Sequence, residues 1–121
     1  MTTTVEILEH ARATIRQGWT QGASAIGSTG LPMEPWDLSA CKWCLTGSLM
    51  KSIHQMTGVD TFWFYAESYV GNPPQEIAWY DNVCTQIEDL VETNPADWND
   101  AKGRTLEDVD KMLKALIELE D

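Results

Sequence analysis

Three cysteines provide the spacing in this sequence that is most typical of a metal or redox site. Cys41 and Cys44 are separated by two residues. A four-ligand zinc site would be completed by His54 and Cys84, but only if all four side chains converge. A thioredoxin-like role would require the pair at the start of a helix that follows a strand, and no strand is predicted before residue 37. We predict cysteines that pack as small hydrophobic residues, with no metal and no cofactor, and keep a metal or thiol site as the alternative.

The other polar residues form no catalytic constellation. The two histidines, His10 and His54, cannot be paired with a serine or cysteine nucleophile from one sequence. The glycines between 22 and 30 lack the spacing of a phosphate-binding loop and are not followed by Lys-Ser/Thr. A set of acids has the spacing of a solvated helix face rather than of an acid/base pair: Glu88, Asp89 and Glu92. We therefore expect a protein that is not an enzyme.

The formal net charge of -11 is unevenly distributed along the chain. Residues 1–59 carry four acids and four bases, whereas nine acids and no lysine or arginine lie between Lys51 and Lys102. A negative field of this kind repels phosphate backbones, so direct nucleic-acid binding is disfavoured and a basic protein partner is favoured. Solubility alone is the other explanation of the charge.

Length and hydropathy restrict the class of protein further. A chain of 121 residues, 43% of them hydrophobic, is expected to fold as one domain over 1–121. No apolar run approaches the roughly 18 residues that span a bilayer. The polar start has no signal-peptide pattern, and an odd number of cysteines favours reduced thiols, so we expect a cytoplasmic protein that binds no membrane.

The elements that must position these residues are mainly helical. A capping box at Thr3-x-x-Glu6 predicts the first helix over 4–17, followed by a long irregular connection rich in glycine and proline over 18–36. Asp37 is predicted to cap a second helix that continues to Gly58. Within it, Gly47 suggests that another element packs closely. The fold class is a mainly α, compact bundle of four to five helices with a long irregular loop after helix one.

The second half of the chain contains one ambiguous segment and two further helices. Residues 60–70 are compatible with a strand or a short helix, and we favour the helix. Pro73-Pro74 predicts the start of a helix that runs to about 92, and Thr105-x-x-Asp108 predicts the cap of the last helix.

A polar cluster precedes that last helix. Asn99 and Asp100 can form local side-chain-to-backbone turns, Gly103 can form a tight turn and Thr105 a cap, which accounts for the cluster structurally. The same residues, with Arg104, could instead form a binding surface beside a tryptophan. We favour the structural interpretation.

Three segments together carry a family resemblance: Gly18-Trp19 with Gly22-Ala23; Trp43-Cys44-Leu45-Thr46-Gly47-Ser48-Leu49; and Trp98-Asn99-Asp100 with Arg104-Thr105 and Val109. The chain resembles a family of small, uncharacterised phage and bacterial proteins with Gly-Trp, Trp-Cys-x-x-Gly-Ala and Trp-Asn-Asp…Arg-Thr motifs. Ser48 stands where that pattern usually has alanine, Cys41 is outside it, and 58–78 is not covered. The resemblance implies a viral or mobile-element setting and a common structural frame of Trp19, Cys44, Gly47, Trp98, Asn99, Asp100 and Thr105.

Our functional hypothesis is a non-enzymatic, phage-encoded protein that docks on a host or phage protein, with inhibition of a nucleic-acid-handling enzyme as its sharper form. The candidate surface combines aromatic anchors with an acidic rim, which favours association with a basic partner. The aromatic residues could instead belong to the core, and a homo-oligomeric structural role is a further alternative. The predicted partner-binding residues are Phe62, Trp63, Tyr65, Glu67, Tyr69, Glu76, Asp81, Glu88, Asp89 and Glu92.

Overall fold

The described residues form a mainly helical structure around a small two-stranded sheet. This computed structural model describes residues 3–65, 71 and 73–120. In these residues there are five α-helices, one short 3-10 helix and two strands, so the expected helical fold is confirmed in outline. The α-helices are α1 (Thr4–Gln17), α2 (Leu45–Thr57), α3 (Gln75–Val91), α4 (Pro95–Asp100) and α5 (Leu106–Glu120); the 3-10 helix is Thr61–Phe64, and the strands are β1 (Ala25–Gly27) and β2 (Ala40–Trp43).

The helices with local start signals begin where the sequence predicts. The Thr3 hydroxyl accepts the Glu6 backbone N–H at 3.2 Å and caps α1. At α5 the capping box is reciprocal: the Asp108 N–H donates to the Thr105 hydroxyl at 3.2 Å, and the Thr105 N–H donates to the Asp108 carboxylate at 3.0 Å. Each pair satisfies backbone donors that the first turn of a helix leaves without partners.

The prediction that the second helix begins at Asp37 is wrong. The chain over Ala40–Trp43 is extended and pairs antiparallel with β1, in a register that places Ala25 opposite Trp43. The Asp37 carboxylate accepts the Ser39 N–H at 2.8 Å and closes a local turn. Helix α2 starts only at Leu45, where the Cys44 sulfur accepts the Gly47 N–H at 3.3 Å. Pairing with a distant segment therefore overrides the apolar spacing that suggested a helix.

The long connection after α1 is more regular than expected. It contains β1, and the Met33 N–H donates to the Ala25 carbonyl at 3.0 Å, so the chain pairs with itself across this connection. The indole N–H of Trp43 donates to the Pro35 carbonyl at 2.8 Å and fixes the far end of the connection to β2.

The ambiguous segment is a 3-10 helix in its described part. Asp60 accepts the Phe62 N–H at 2.9 Å and caps Thr61–Phe64, which supports the helical alternative over the strand for these residues. Residues 66–70 lie outside the described residues.

A largely buried ion pair joins the first and last helices. The Arg12 guanidinium donates to both oxygens of Asp110, at 2.9 and 3.2 Å, and Arg16 donates to the second oxygen. The Asp110 side chain is only 7% exposed. Its hydrogen bond to Arg12, reinforced by Arg16, holds the pKa of this carboxyl below its ordinary value.

We expect Asp110→Asn to lower the free energy of unfolding at neutral pH by about 2–3 kcal/mol, because Arg12 loses its charged acceptor. The wild-type contribution is present above the unfolded-state pKa of about 3.9 and is lost as the pH falls through the lower folded-state pKa. Urea unfolding at neutral and at acidic pH measures this effect. The difference in free energy of unfolding between wild type and Asp110→Asn should be smaller at acidic pH.

The matched control for this prediction is Glu107→Gln, since Glu107 is 66% exposed and lies 3.7 Å from Arg16. An exposed pair of this kind should contribute less than about 1 kcal/mol. Equal losses in the two variants would contradict a special role for the buried carboxylate.

Candidate functional site

Asn99 joins three separate parts of the chain through its side-chain amide. The amide oxygen accepts the Trp19 indole N–H at 2.8 Å and the Leu45 backbone N–H at 3.1 Å. The amide nitrogen donates to the Thr20 carbonyl at 3.1 Å and to the Asp100 carboxylate at 3.0 Å. We call this set of contacts the Asn99 junction. Asn99 has no exposed surface, and its hydrogen bond to the Leu45 N–H is buried, so this N–H depends on Asn99 for its partner.

Asp100 extends the junction toward the connection after α1. Its carboxylate accepts the Gly22 N–H at 2.9 Å. From the connection, the Gln21 side-chain amide donates to the backbone carbonyl of Asn99 at 2.9 Å. Asn99 and Asp100 thus make long-range contacts rather than the purely local turns that the sequence suggested, although their role is still structural.

Gly47 allows two backbones to meet beside this junction. A Cβ at this position would collide with the carbonyl oxygen of Ser24. The same oxygen accepts the Cys44 N–H at 3.1 Å. The predicted close packing at Gly47 is confirmed, and the element that approaches is the chain just before β1.

Arg104 serves the fold rather than a binding surface. Its Nε donates to the Trp98 carbonyl at 2.9 Å, and its guanidinium lies 4.1 Å from the centre of the Trp98 ring. Because Thr105 caps α5, the geometry supports the structural interpretation of the whole 98–105 cluster.

A small cavity of about 210 Å³ lies next to the junction and is lined in part by Ser24, Cys44, Thr46 and Asp100. The Cys44 sulfur already accepts the Gly47 N–H and lies 3.3 Å from the Thr46 hydroxyl. No histidine lines the cavity to activate that thiol as a nucleophile.

The four residues of the metal alternative come from three elements, with Cys44 at the start of α2 and His54 in its last turn. Cys41 is on β2 and Cys84 on α3, while the His54 ring lies 2.9 Å from the Val59 carbonyl at the end of α2. Burial raises the pKa of the Cys84 thiol to about 11, so without a metal ion this thiol stays protonated at neutral pH. In the part of the chain that the structure describes, no group of three His, Cys, Asp or Glu side chains could hold a metal ion.

The cysteine pair nevertheless differs from expectation in one respect. A strand does precede the helix, since Cys44 caps α2 directly after β2. Cys41, however, belongs to that strand, so the two thiols are not both at the helix start as a dithiol redox motif would require.

The aromatic residues predicted to bind a partner fall into two groups. Phe62 and Tyr65 are 58% and 54% exposed. Trp63 instead packs against a buried cluster that includes Ile53 and Ile77, so the core interpretation applies to this residue. Glu67 and Tyr69 lie outside the described residues.

Ring contacts fix the exposed aromatic side chains in place. The Trp36 ring stacks on Phe64 with centroids 5.9 Å apart and lies 5.8 Å from the Tyr65 ring. The Phe62 ring meets Trp63 edge to face at 5.3 Å. The exposed rings are therefore held by rings that are themselves half-buried.

The acids of α3 lie on the helix that packs against this aromatic turn. Phe64 contacts Tyr80 edge to face at 5.4 Å, and Tyr80 is followed directly by the first exposed acid of α3. Glu76 is half-buried, whereas the other predicted acids are exposed. We call the combined region the aromatic–acidic surface, and it consists of Phe62, Tyr65, Asp81, Glu88, Asp89 and Glu92.

Sequence reasoning missed a third part of this region. The Tyr65 hydroxyl donates to the Glu34 carboxylate, which brings the connection after α1 to the aromatic turn. Leu31 of this connection is 64% exposed, and Leu38, just after it, is fully exposed. The proline-rich composition of 31–36 was the one available signal that its side chains stay near the surface.

A family model described as a family of unknown function, DUF6197, matches residues 1–119. The chain belongs to the DUF6197 family. The DUF6197 match includes the 58–78 segment, which the motif resemblance left out. Comparison with curated proteins and with solved structures gave no match. None of the helices within the described ranges is long and apolar enough to cross a membrane.

We expect Asn99→Ala to lower the free energy of unfolding by about 3–5 kcal/mol, because the buried Leu45 N–H and the part-buried Trp19 N–H and Thr20 carbonyl lose their partner at once. Asn82→Ala, at an exposed position of α3, is the control and should stay within about 0.5 kcal/mol of wild type. Chemical denaturation of wild type and both variants measures these changes in the free energy of unfolding. A loss of less than about 1 kcal/mol for Asn99→Ala would show that water replaces the amide.

We also expect purified protein to contain substoichiometric zinc and to melt at the same temperature with and without a strong chelator. The reason is that, among the described residues, no three His, Cys, Asp or Glu side chains are placed to hold a metal ion together. Elemental analysis and a thermal melt measure both properties. One zinc per chain together with a chelator-sensitive melt would restore the metal alternative.

Proposed function

We propose that this protein is a non-enzymatic binding protein that docks on a basic surface of a partner protein through its aromatic–acidic surface. The observation that supports this proposal best is the exposure of Phe62 and Tyr65, each more than half accessible, in a turn whose neighbouring rings hold it in place. Exposed aromatic side chains that lie close together are the kind of residues that anchor protein–protein interfaces.

Pre-organised aromatic rings favour tight docking. An aromatic side chain has few rotatable bonds, and here the Trp36 and Trp63 rings restrict it further before any partner arrives. Phe62 and Tyr65 then lose little conformational entropy on binding. Less of the favourable free energy from burying them is offset, and the affinity is higher.

The acidic residues determine which partners are favoured. Asp81, Glu88, Asp89 and Glu92 are exposed along α3. No lysine or arginine occurs in the sequence between Lys51 and Lys102. A uniformly negative rim accelerates encounter with a basic surface and makes the association rate depend on salt.

A narrower form of the proposal follows from the same charge. A basic groove that normally holds a phosphate backbone would attract this surface, so the protein would inhibit a nucleic-acid-handling enzyme by occupying the groove. In this form the protein is phage-encoded and acts in the cytoplasm of the host.

The test starts from proteins that wild type captures in a lysate of the cell in which it is made, followed by kinetics with each purified candidate. Phe62→Ser should weaken the affinity by about tenfold or more, mainly through faster dissociation. Charge reversal of Glu88, Asp89 and Glu92 to lysine should slow association and reduce its salt dependence.

Two control variants carry matched changes elsewhere on the surface. Leu119→Ser removes a side chain that is 61% exposed on α5, and Glu118→Lys with Glu120→Lys reverses exposed charges of the same helix. Neither should affect a partner that docks as proposed. Partners that bind wild type, Phe62→Ser and the charge-reversal variant equally well, at every salt concentration, would contradict the proposal.

A further inference from the structure

A cleft of about 570 Å³ opens beside Tyr65, between the 3-10 helix and the connection after α1. It is lined by residues 22–24, residues 32–34, Asp37 and Tyr65. Its lining therefore combines carboxylates with the apolar side chains of Pro32 and Met33. None of the lining residues is a lysine or arginine.

The walls of this cleft are built before any ligand binds. On the 22–24 segment, the Gly22 N–H donates to Asp100 and the Ser24 carbonyl accepts the Cys44 N–H. On the other segment, the Met33 N–H donates to Ala25 at 3.0 Å. Both segments are thus held by contacts with the sheet and with the Asn99 junction, which reduces the ordering cost of binding.

The carboxylates of the cleft have unused capacity to accept hydrogen bonds. One oxygen of Glu34 accepts the Tyr65 hydroxyl, and Oδ1 of Asp37 accepts the Ser39 N–H. Within the described residues, the second oxygen of each carboxylate makes no hydrogen bond. Both residues are exposed, and neither has a cation among the other residues that line the cleft.

Tyr65 keeps Glu34 in position over a wide pH range. Partial burial, together with the hydrogen bond and the charge of Glu34, raises the pKa of the Tyr65 phenol above its ordinary value. The phenol therefore stays protonated and continues to donate to the carboxylate.

We propose that this cleft receives an arginine side chain of the partner protein, with its aliphatic stem against Pro32 and Met33 and its guanidinium at the free oxygens of Glu34 and Asp37. The inference rests on the proposed function, since Tyr65 belongs both to the cleft and to the aromatic–acidic surface. Arginine suits the site better than lysine because its planar fork binds carboxylates at two points and stacks on aromatic rings.

The test is an NMR titration of the full-length, isotope-labelled protein with the capped tripeptide acetyl-Leu-Arg-Leu-amide. The matched probe carries citrulline, which has the same shape as arginine and no charge. The arginine peptide should shift backbone signals of residues 22–24 and 32–34 and bind about tenfold more tightly than the citrulline peptide, as expected for loss of one charge-assisted interaction.

Variants locate the binding site of the peptide. Glu34→Gln with Asp37→Asn should abolish the preference for arginine, whereas Glu88→Gln with Asp89→Asn on α3 should retain it. Equal binding of the two peptides, or no shift of any cleft signal up to the solubility limit of the arginine peptide, would overturn the inference.

The two proposals fail in distinguishable ways. If Phe62→Ser weakens binding of a captured partner while the arginine peptide leaves the cleft signals unchanged, docking holds and the cleft proposal is wrong. If the arginine peptide binds the cleft while Phe62→Ser leaves the affinity for every captured partner unchanged, the cleft is an arginine site and the docking proposal is wrong.

Discussion

The structure depends on one buried amide. Asn99 lies where the connection after α1, the start of α2 and helix α4 meet, and its oxygen and nitrogen bond to all three. An amide suits this position because it both donates and accepts without carrying a charge that burial would penalise. Without it, the Trp19 indole and the first N–H of α2 would be buried unpaired. The position of β1, and of the cleft wall before it, follows from this constraint.

Helices whose signals are local could be predicted from the sequence. Thr3 and Thr105 mark helix starts because a capping box involves only residues three apart. The start of α2 could not be predicted in the same way. Leu38 and Cys41 fit a helical stripe that continues to Leu45, but pairing of Ala40–Trp43 with β1 decides the local conformation, and Leu38 is left fully exposed. Pairing between distant segments leaves no periodic signal in either one.

The contacts that could not be predicted, in the candidate site and elsewhere in the fold, also join residues that are far apart in the sequence. Phe62 and Tyr65 were identified by residue type and by their position among acids. The contact between Tyr65 and Glu34 spans 31 positions and the ion pair between Arg12 and Asp110 spans 98, so neither has a sequence signature. Trp63 was assigned to the surface by residue type but packs against the core. Residue type alone does not distinguish it from the exposed Phe62, one position away.

The contact between Gly47 and Ser24 fixes how closely the backbone of residues 22–24 lies to α2. Because two backbones meet there with no side chain between them, substitution cannot adjust the gap, and the 22–24 wall moves only if α2 moves with it. The facing segment is attached through backbone hydrogen bonds that most side chains tolerate, and Glu34 and Asp37 are exposed. The backbone of one wall of the cleft is therefore held in position by α2, while the other wall can carry different side chains on the same backbone hydrogen bonds.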